Sequence, residues 1–181
     1  MKKIILAALV FTGVQAGAQK YMTKTGTVDF LSKAPMETIE GINRASACLL
    51  DAKTGKVDFI IQIKSFVFKQ QLLQEHFNEN YMESDKFPKS TFAGTITNLN
   101  AINFAKDGEY KADVAGKLMI HGVTKDVKQS GKIIVKGNQA SLVCAFNILL
   151  ADYNIAIPGA VKDKISKEVK INVNATLDKL K

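Results

Sequence analysis

Phe66–Thr97 reads FVFKQQLLQEHFNENYMESDKFPKSTFAGTIT, and its two halves follow different periods. Up to Tyr81, the residues Leu72, Leu73, His76, Phe77, Asn80 and Tyr81 recur every three to four positions, while Gln70, Gln74, Asn78 and Glu79 turn away. This spacing predicts one main α-helix over residues 69–83 with an apolar and aromatic side. Pro88 then forbids helical continuation and biases Phe87 toward extended geometry, and Ser90–Thr97 alternates with period two. A helix set between strands needs a surface built of strands to cover.

Those strands can be read outward from it in both directions. Upstream, Tyr21–Leu31 puts Met22, Val28 and Phe30 on one parity, and Glu40–Leu50 gives Ile42 and Cys48 a shared side. Asp51–Gly55 supplies turn residues before Lys56–Lys64, where Val57, Phe59, Ile61 and Ile63 point one way. Downstream, Phe92, Gly94 and Ile96 share a face, and so do Tyr110, Ala112, Val114, Gly116, Leu118 and Ile120. His121-Gly122 turns the chain into Val127–Val135. Then come Ser141–Leu150, with Leu142, Cys144, Phe146 and Ile148 together, and a last strand carrying Val169, Ile171, Val173, Ala175 and Leu177. About eight antiparallel strands with short turns predict a mainly β protein, a barrel with the helix inserted near residues 69–83. Such a barrel is packed solid or holds one small ligand. Ala112, Gly116 and Gly94 on the inward parity favour a hollow interior, because small side chains there leave room.

The first 18 residues have another character. Lys2 and Lys3 precede an apolar run, Ile4–Val14, and small residues end at Ala16-Gly17-Ala18, as in a secretory signal peptide cleaved after Ala18. The run is too short for the roughly 20 residues of a membrane-spanning helix. The expected mature chain, 19–181, is one domain in a bacterial periplasm or in the medium. There, Cys48 and Cys144 are free to form a disulfide or to remain buried thiols.

The chain carries 25 Lys+Arg against 17 Asp+Glu, a formal +8, with a single arginine, Arg44. A nucleic-acid surface uses arginines interleaved with aromatics, so lysines spread singly argue against that partner and for a solvated surface. At most, they support a weak, salt-sensitive contact with anionic membrane lipids. Catalytic patterns are equally sparse. His76 and His121 are the two histidines, neither serves a glycine-bracketed serine, and no two-histidine zinc spacing, short cysteine pair or glycine-rich phosphate loop occurs. The expectation is a protein without catalytic or metal-binding residues, in which His76 is a polar tip on the helix and His121 a turn residue.

Three ordered motifs carry a resemblance. EHFNENYMESDKFPKSTFAGTIT, then YKADVAGKLMIHGVTKDVK, then DYNIAIPGAVKDKISKEVKINVNATL resemble the YceI-like family of secreted bacterial proteins. The marks are His76-Phe77, Phe87-Pro88 with Phe92, and the run Gly116–Lys125. The resemblance implies a lipocalin-like barrel enclosing an apolar tunnel that holds a long isoprenoid or quinone-like chain, or a fatty acid, without chemical change. It places the helix near an opening. No cofactor is required, and a homodimer is compatible with it.

Combined with parity, this reading makes Val28, Phe30, Phe59, Ile61, Phe92, Val114, Leu118, Phe146 and Ile171 the expected tunnel lining, with Phe77 and Tyr81 from the helix. The expected function is non-enzymatic carriage or sequestration of an apolar lipid. The alternative is a filled-core secreted barrel acting through its lysine-rich surface as a stress-related interaction protein.

Overall fold

The computed structural model describes residues 19–181; the expected signal peptide, 1–18, lies outside the described residues. Nine strands follow in chain order: β1 (Lys20–Lys33), β2 (Thr38–Asp51), β3 (Lys56–Gln62), β4 (Phe66–Val67), β5 (Lys89–Ile96), β6 (Gly108–Ile120), β7 (Val123–Lys136), β8 (Gln139–Leu149) and β9 (Glu168–Lys179). Their spatial order is β1-β9-β8-β7-β6-β5-β3-β2, and β1 pairs with β2 to close an eight-stranded antiparallel barrel. The short β4 is appended to β2 through Ile42↔Val67 and Asn43↔Phe66. The expected fold class is the observed one.

The barrel has two unlike ends. At one end lie the β2–β3 and β7–β8 turns, and the interior is packed solid: Leu50, Ala140, Ala175 and Leu177 are fully buried. Tyr21 lies with its ring 5.8 Å from that of Phe104, in the β5–β6 connection, and the two plug the base. At the other end the chain makes its longer excursions. These are the β1–β2 turn, the segment from Ile63 to Pro88 that carries the helix, and the connection from Leu150 to Lys167. Met36 N–H donates to the Asp163 carbonyl (3.1 Å) and Ser166 N–H to Ser32 Oγ (2.9 Å), tying two of these excursions together.

The helix is shorter than its periodicity suggests. The α-helix α1 spans Gln71–His76, and Phe77–Tyr81 continues it as a wider turn in which Met82 N–H reaches back five residues to the Phe77 carbonyl, 2.9 Å away. Lys69 and Gln70 remain extended or bent before it, and Met82 and Glu83 lie beyond it. The widened turn also changes the facing: Asn80 is exposed, whereas Gln74 and Asn78 are half-buried. Asn78 Nδ2 donates to the Gln74 carbonyl at 2.9 Å.

Two strand assignments are corrected by bulges. In β1 the register shifts between Thr23 and Gly26, so Tyr21 and Thr23 face in on one side of the shift and Val28 and Phe30 on the other; Met22 points out. In β2 Gly41 and Asn43 face in, then Ser46, Cys48 and Leu50, which puts Ile42 outside. Asn43 holds this kink. Its side chain is fully buried, donating Nδ2–H to the Gln62 carbonyl (2.8 Å) and accepting at Oδ1 from Ala45 N–H (2.8 Å) and Ser46 Oγ (3.3 Å).

The inward glycines serve a different purpose from the one expected. A Cβ on Gly116 would meet the Ala93 carbonyl oxygen at 2.4 Å, and one on Gly94 would meet the Phe92 ring at 2.4 Å. They allow β5 and β6 to approach closely and let an aromatic ring lie across the backbone, rather than leaving a void.

Candidate functional site

Above the packed base the barrel is hollow. A cavity of about 490 Å³ extends from Val57, Ile96, Ala112 and Ile133 up to the helix and the Leu150–Lys167 connection. That volume lies within the range of small-molecule sites, roughly 300–1,000 Å³. The wall is aliphatic and aromatic from every strand of the closed barrel, because each contributes its inward parity. Polar side chains are few. Glu37, Gln70, His76 and Lys164 border the cavity from the connections at the helix end, and Ser32, Ser90, Gln129 and Lys132 from the strands.

All eleven side chains expected to line a tunnel border this cavity. Val28, Phe59, Ile61 and Leu118 are buried, whereas Phe30, Phe77, Tyr81, Phe92, Val114, Phe146 and Ile171 are half-buried. Residues on the inside of a barrel that stay half-exposed have one face turned to empty space. The difference between base and cavity is therefore visible residue by residue.

The helix is fastened by an aromatic cluster. Phe77 stacks on Phe30 with centroids 5.4 Å apart and planes 18° from parallel, and meets Phe66 and Phe68 at 5.4 and 5.0 Å. Phe30 in turn lies against Phe66 at 5.6 Å and Phe68 at 5.7 Å. Gly41, the cross-strand partner of Phe30, gives the ring its place, since a Cβ there would meet Phe30 Cε1 at 2.5 Å. Phe66 and Phe68 were not singled out in sequence. Their signal was present in the Phe-Val-Phe alternation directly before the helix, whose middle residue, Val67, is exposed.

The histidines occupy different surroundings. His76 borders the cavity mouth, exposed. His121 is indeed a turn residue, with φ 49° followed by Gly122 at 74°, the two-residue hairpin turn that matches strand twist. Its ring is also buried against Phe87, with centroids 4.6 Å apart, and its nitrogens meet Glu83 Oε2 at 2.8 Å and the Tyr153 carbonyl at 3.2 Å. It pins three connections together at the helix end.

Both cysteines are free thiols. Burial, reinforced by the charge of nearby Asp58, pushes the Cys48 thiol far above its ordinary range. Burial also raises Cys144, which borders the cavity and lies 3.5 Å from the Ser130 carbonyl.

Known proteins share this architecture. The family model described as the YceI-like domain matches residues 19–177. Two UPF0312 proteins of Vibrio vulnificus, from strains YJ016 and CMCP6, are each 25% identical over 112 residues, which is 58% of this chain and 56% of theirs. The match thus spans little more than half the length of these curated relatives. Among solved structures, a polyisoprenoid binding domain from Saccharophagus degradans implicated in plant cell wall breakdown superposes with a TM-score of 0.77 at 12% identity, covering 90% of this chain and 99% of that one. Burkholderia cenocepacia BcnA gives 0.67 at 19% identity, covering 84% and 95%. A Campylobacter jejuni YceI protein gives 0.56 at 20%, covering 78% and 84%. At these identities the structures establish a shared fold.

Proposed function

Because the chain belongs to the YceI-like domain family, we propose that it binds a long apolar lipid of the isoprenoid or quinone-like type in its barrel cavity and carries or sequesters it without chemical change. The observation that carries this reading is the half-hollow barrel: a cavity of about 490 Å³ with an almost wholly apolar wall, above a base packed without space. The Saccharophagus relative, a polyisoprenoid binding domain with the same fold, supports the choice of ligand class. Burying each CH₂ of such a chain contributes about 0.8 kcal/mol, against an association cost of roughly 4–15 kcal/mol. A chain of many carbons is thus what this wall can hold firmly, and no catalytic group is needed. Placement outside the cytoplasm belongs to the same reading and rests on the leader-like residues 1–18.

Mass spectrometry of organic extracts from gently purified protein tests the proposal. The expected result is a polyprenyl-type lipid near one per chain. Lipid-free extracts, together with no thermal stabilisation by added polyprenyl compounds, would overturn it.

A further inference from the structure

The wall of the barrel is incomplete on one side. β6 and β7 pair along their whole length, from Gly108↔Val135 to Ile120↔Val123, and β8 pairs with β9 from Gln139↔Asp178 to Leu149↔Glu168. Between β7 and β8, pairing runs only from Lys136↔Gln139 to Gly131↔Cys144. Above that point both strands continue, β7 through Val123–Ser130 and β8 through Ala145–Leu149, without pairing to each other. Gly131 permits the close approach at the fork, where a Cβ would meet the Val143 carbonyl at 2.5 Å. Just above it, the Ser130 carbonyl faces the Cys144 thiol at 3.5 Å.

Between the diverging edges lies a second space of about 350 Å³, bordered by residues of both strands. The inward side chains Leu118, Val127, Gln129, Phe146 and Ile148 border both it and the main cavity, while Asp126, Asn147 and Leu149, of the outward parity, border its outer side. Its chemistry differs from that of the cavity. Gln129, Asn147 and the free strand edges offer hydrogen bonds, and three carboxylates, Asp126, Asp152 and Glu168, stand against one lysine, Lys125. That lysine is engaged by Asp152 at 3.8 Å, Asp126 is engaged by Lys117 at 3.0 Å, and Glu168 accepts from Asn147 Nδ2 at 3.0 Å. Carboxylates thus outnumber lysines three to one around the opening.

Resting on the lipid-binding reading above, we propose that this seam is where the polar end of the bound lipid leaves the cavity, and that this end forms hydrogen bonds without carrying negative charge. The apolar chain occupies the cavity. Its head lies between the unpaired edges of β7 and β8, where backbone and amide groups meet it and the carboxylates repel phosphate or a free carboxylate.

The test uses the lipid-stripped chain and two probes with the same tail, geranylgeraniol and geranylgeranyl phosphate, each displacing a fluorescent aminonaphthalene dye. The alcohol should bind at least about tenfold more tightly than the phosphate. Asp126→Lys and Asp152→Asn, both at exposed positions that leave the fold intact, should narrow that ratio by about fivefold each at low salt. Glu79→Lys, exposed on the helical segment and bordering neither space, should leave it unchanged. A phosphate preference, or a ratio that responds to Glu79→Lys as much as to the seam variants, overturns the proposal while lipid binding stands. Binding of neither probe overturns the carrier reading itself. Seam variants that change only the oligomeric state on a sizing column overturn the proposal in favour of edge pairing with a second copy.

Discussion

At the scale of single residues, this barrel depends on positions that alternation cannot identify. Asn43 satisfies a kinked strand with one side chain, so Asn43→Ala leaves the Ala45 N–H and the Gln62 carbonyl without their partner. A loss of about 2–3 kcal/mol in urea unfolding is expected. Gly116→Ala should cost about 2 kcal/mol or more, because the new methyl meets a carbonyl across the sheet. Gly159→Ala, where nothing lies within 4 Å, should be close to neutral in the same assay. The thiols set an alkaline limit. Burial raises Cys48 and Cys144, so the folded state disfavours their ionisation. That contribution is intact below the unfolded thiol value of about 8.5 and is lost as pH rises past it. Melting temperature should therefore fall above about pH 8.5, and Cys48→Ala should flatten the fall.

At the scale of elements, what was legible in the sequence and what was not have the same cause. Strands β3, β5, β6, β8 and β9 alternate without interruption, so parity placed Phe59, Phe92, Val114, Phe146 and Ile171 inside, where they stand. β1 and β2 each contain a bulge, and a two-residue period cannot signal its own phase change, so Met22 and Ile42 were assigned to the wrong side. The helix was visible in its periodicity but not in its extent, since the five-residue bond from Met82 to Phe77 has no composition of its own. The seam between β7 and β8 left no trace either, because both strands read as ordinary strands and only their separation in space departs from the pattern. The helix is held mainly through Phe77. Phe77→Ala should speed amide exchange across residues 71–81 by about tenfold or more and leave the amides of the packed base unchanged, as read by exchange mass spectrometry.

At the scale of the whole molecule, binding should show itself as linkage. A lipid that binds only the folded barrel stabilises it by about 2.7 kcal/mol when present at a hundred times its dissociation constant, and the melting temperature rises with lipid concentration. The same occupancy should shield Cys144, which borders the cavity, from maleimide in denaturant-free buffer. Cys48, buried on the inward side of β2 next to Leu50 and not bordering the cavity, reacts slowly with or without lipid. The half-hollow interior has a mechanical consequence as well. Unfolding eliminates internal voids, so pressure favours the unfolded chain in proportion to the space the fold encloses. Residues around the cavity should then lose their native signals at lower hydrostatic pressure than Leu50, Ala140, Ala175 and Leu177 at the base, and filling the barrel with lipid should make the two ends equally hard to compress.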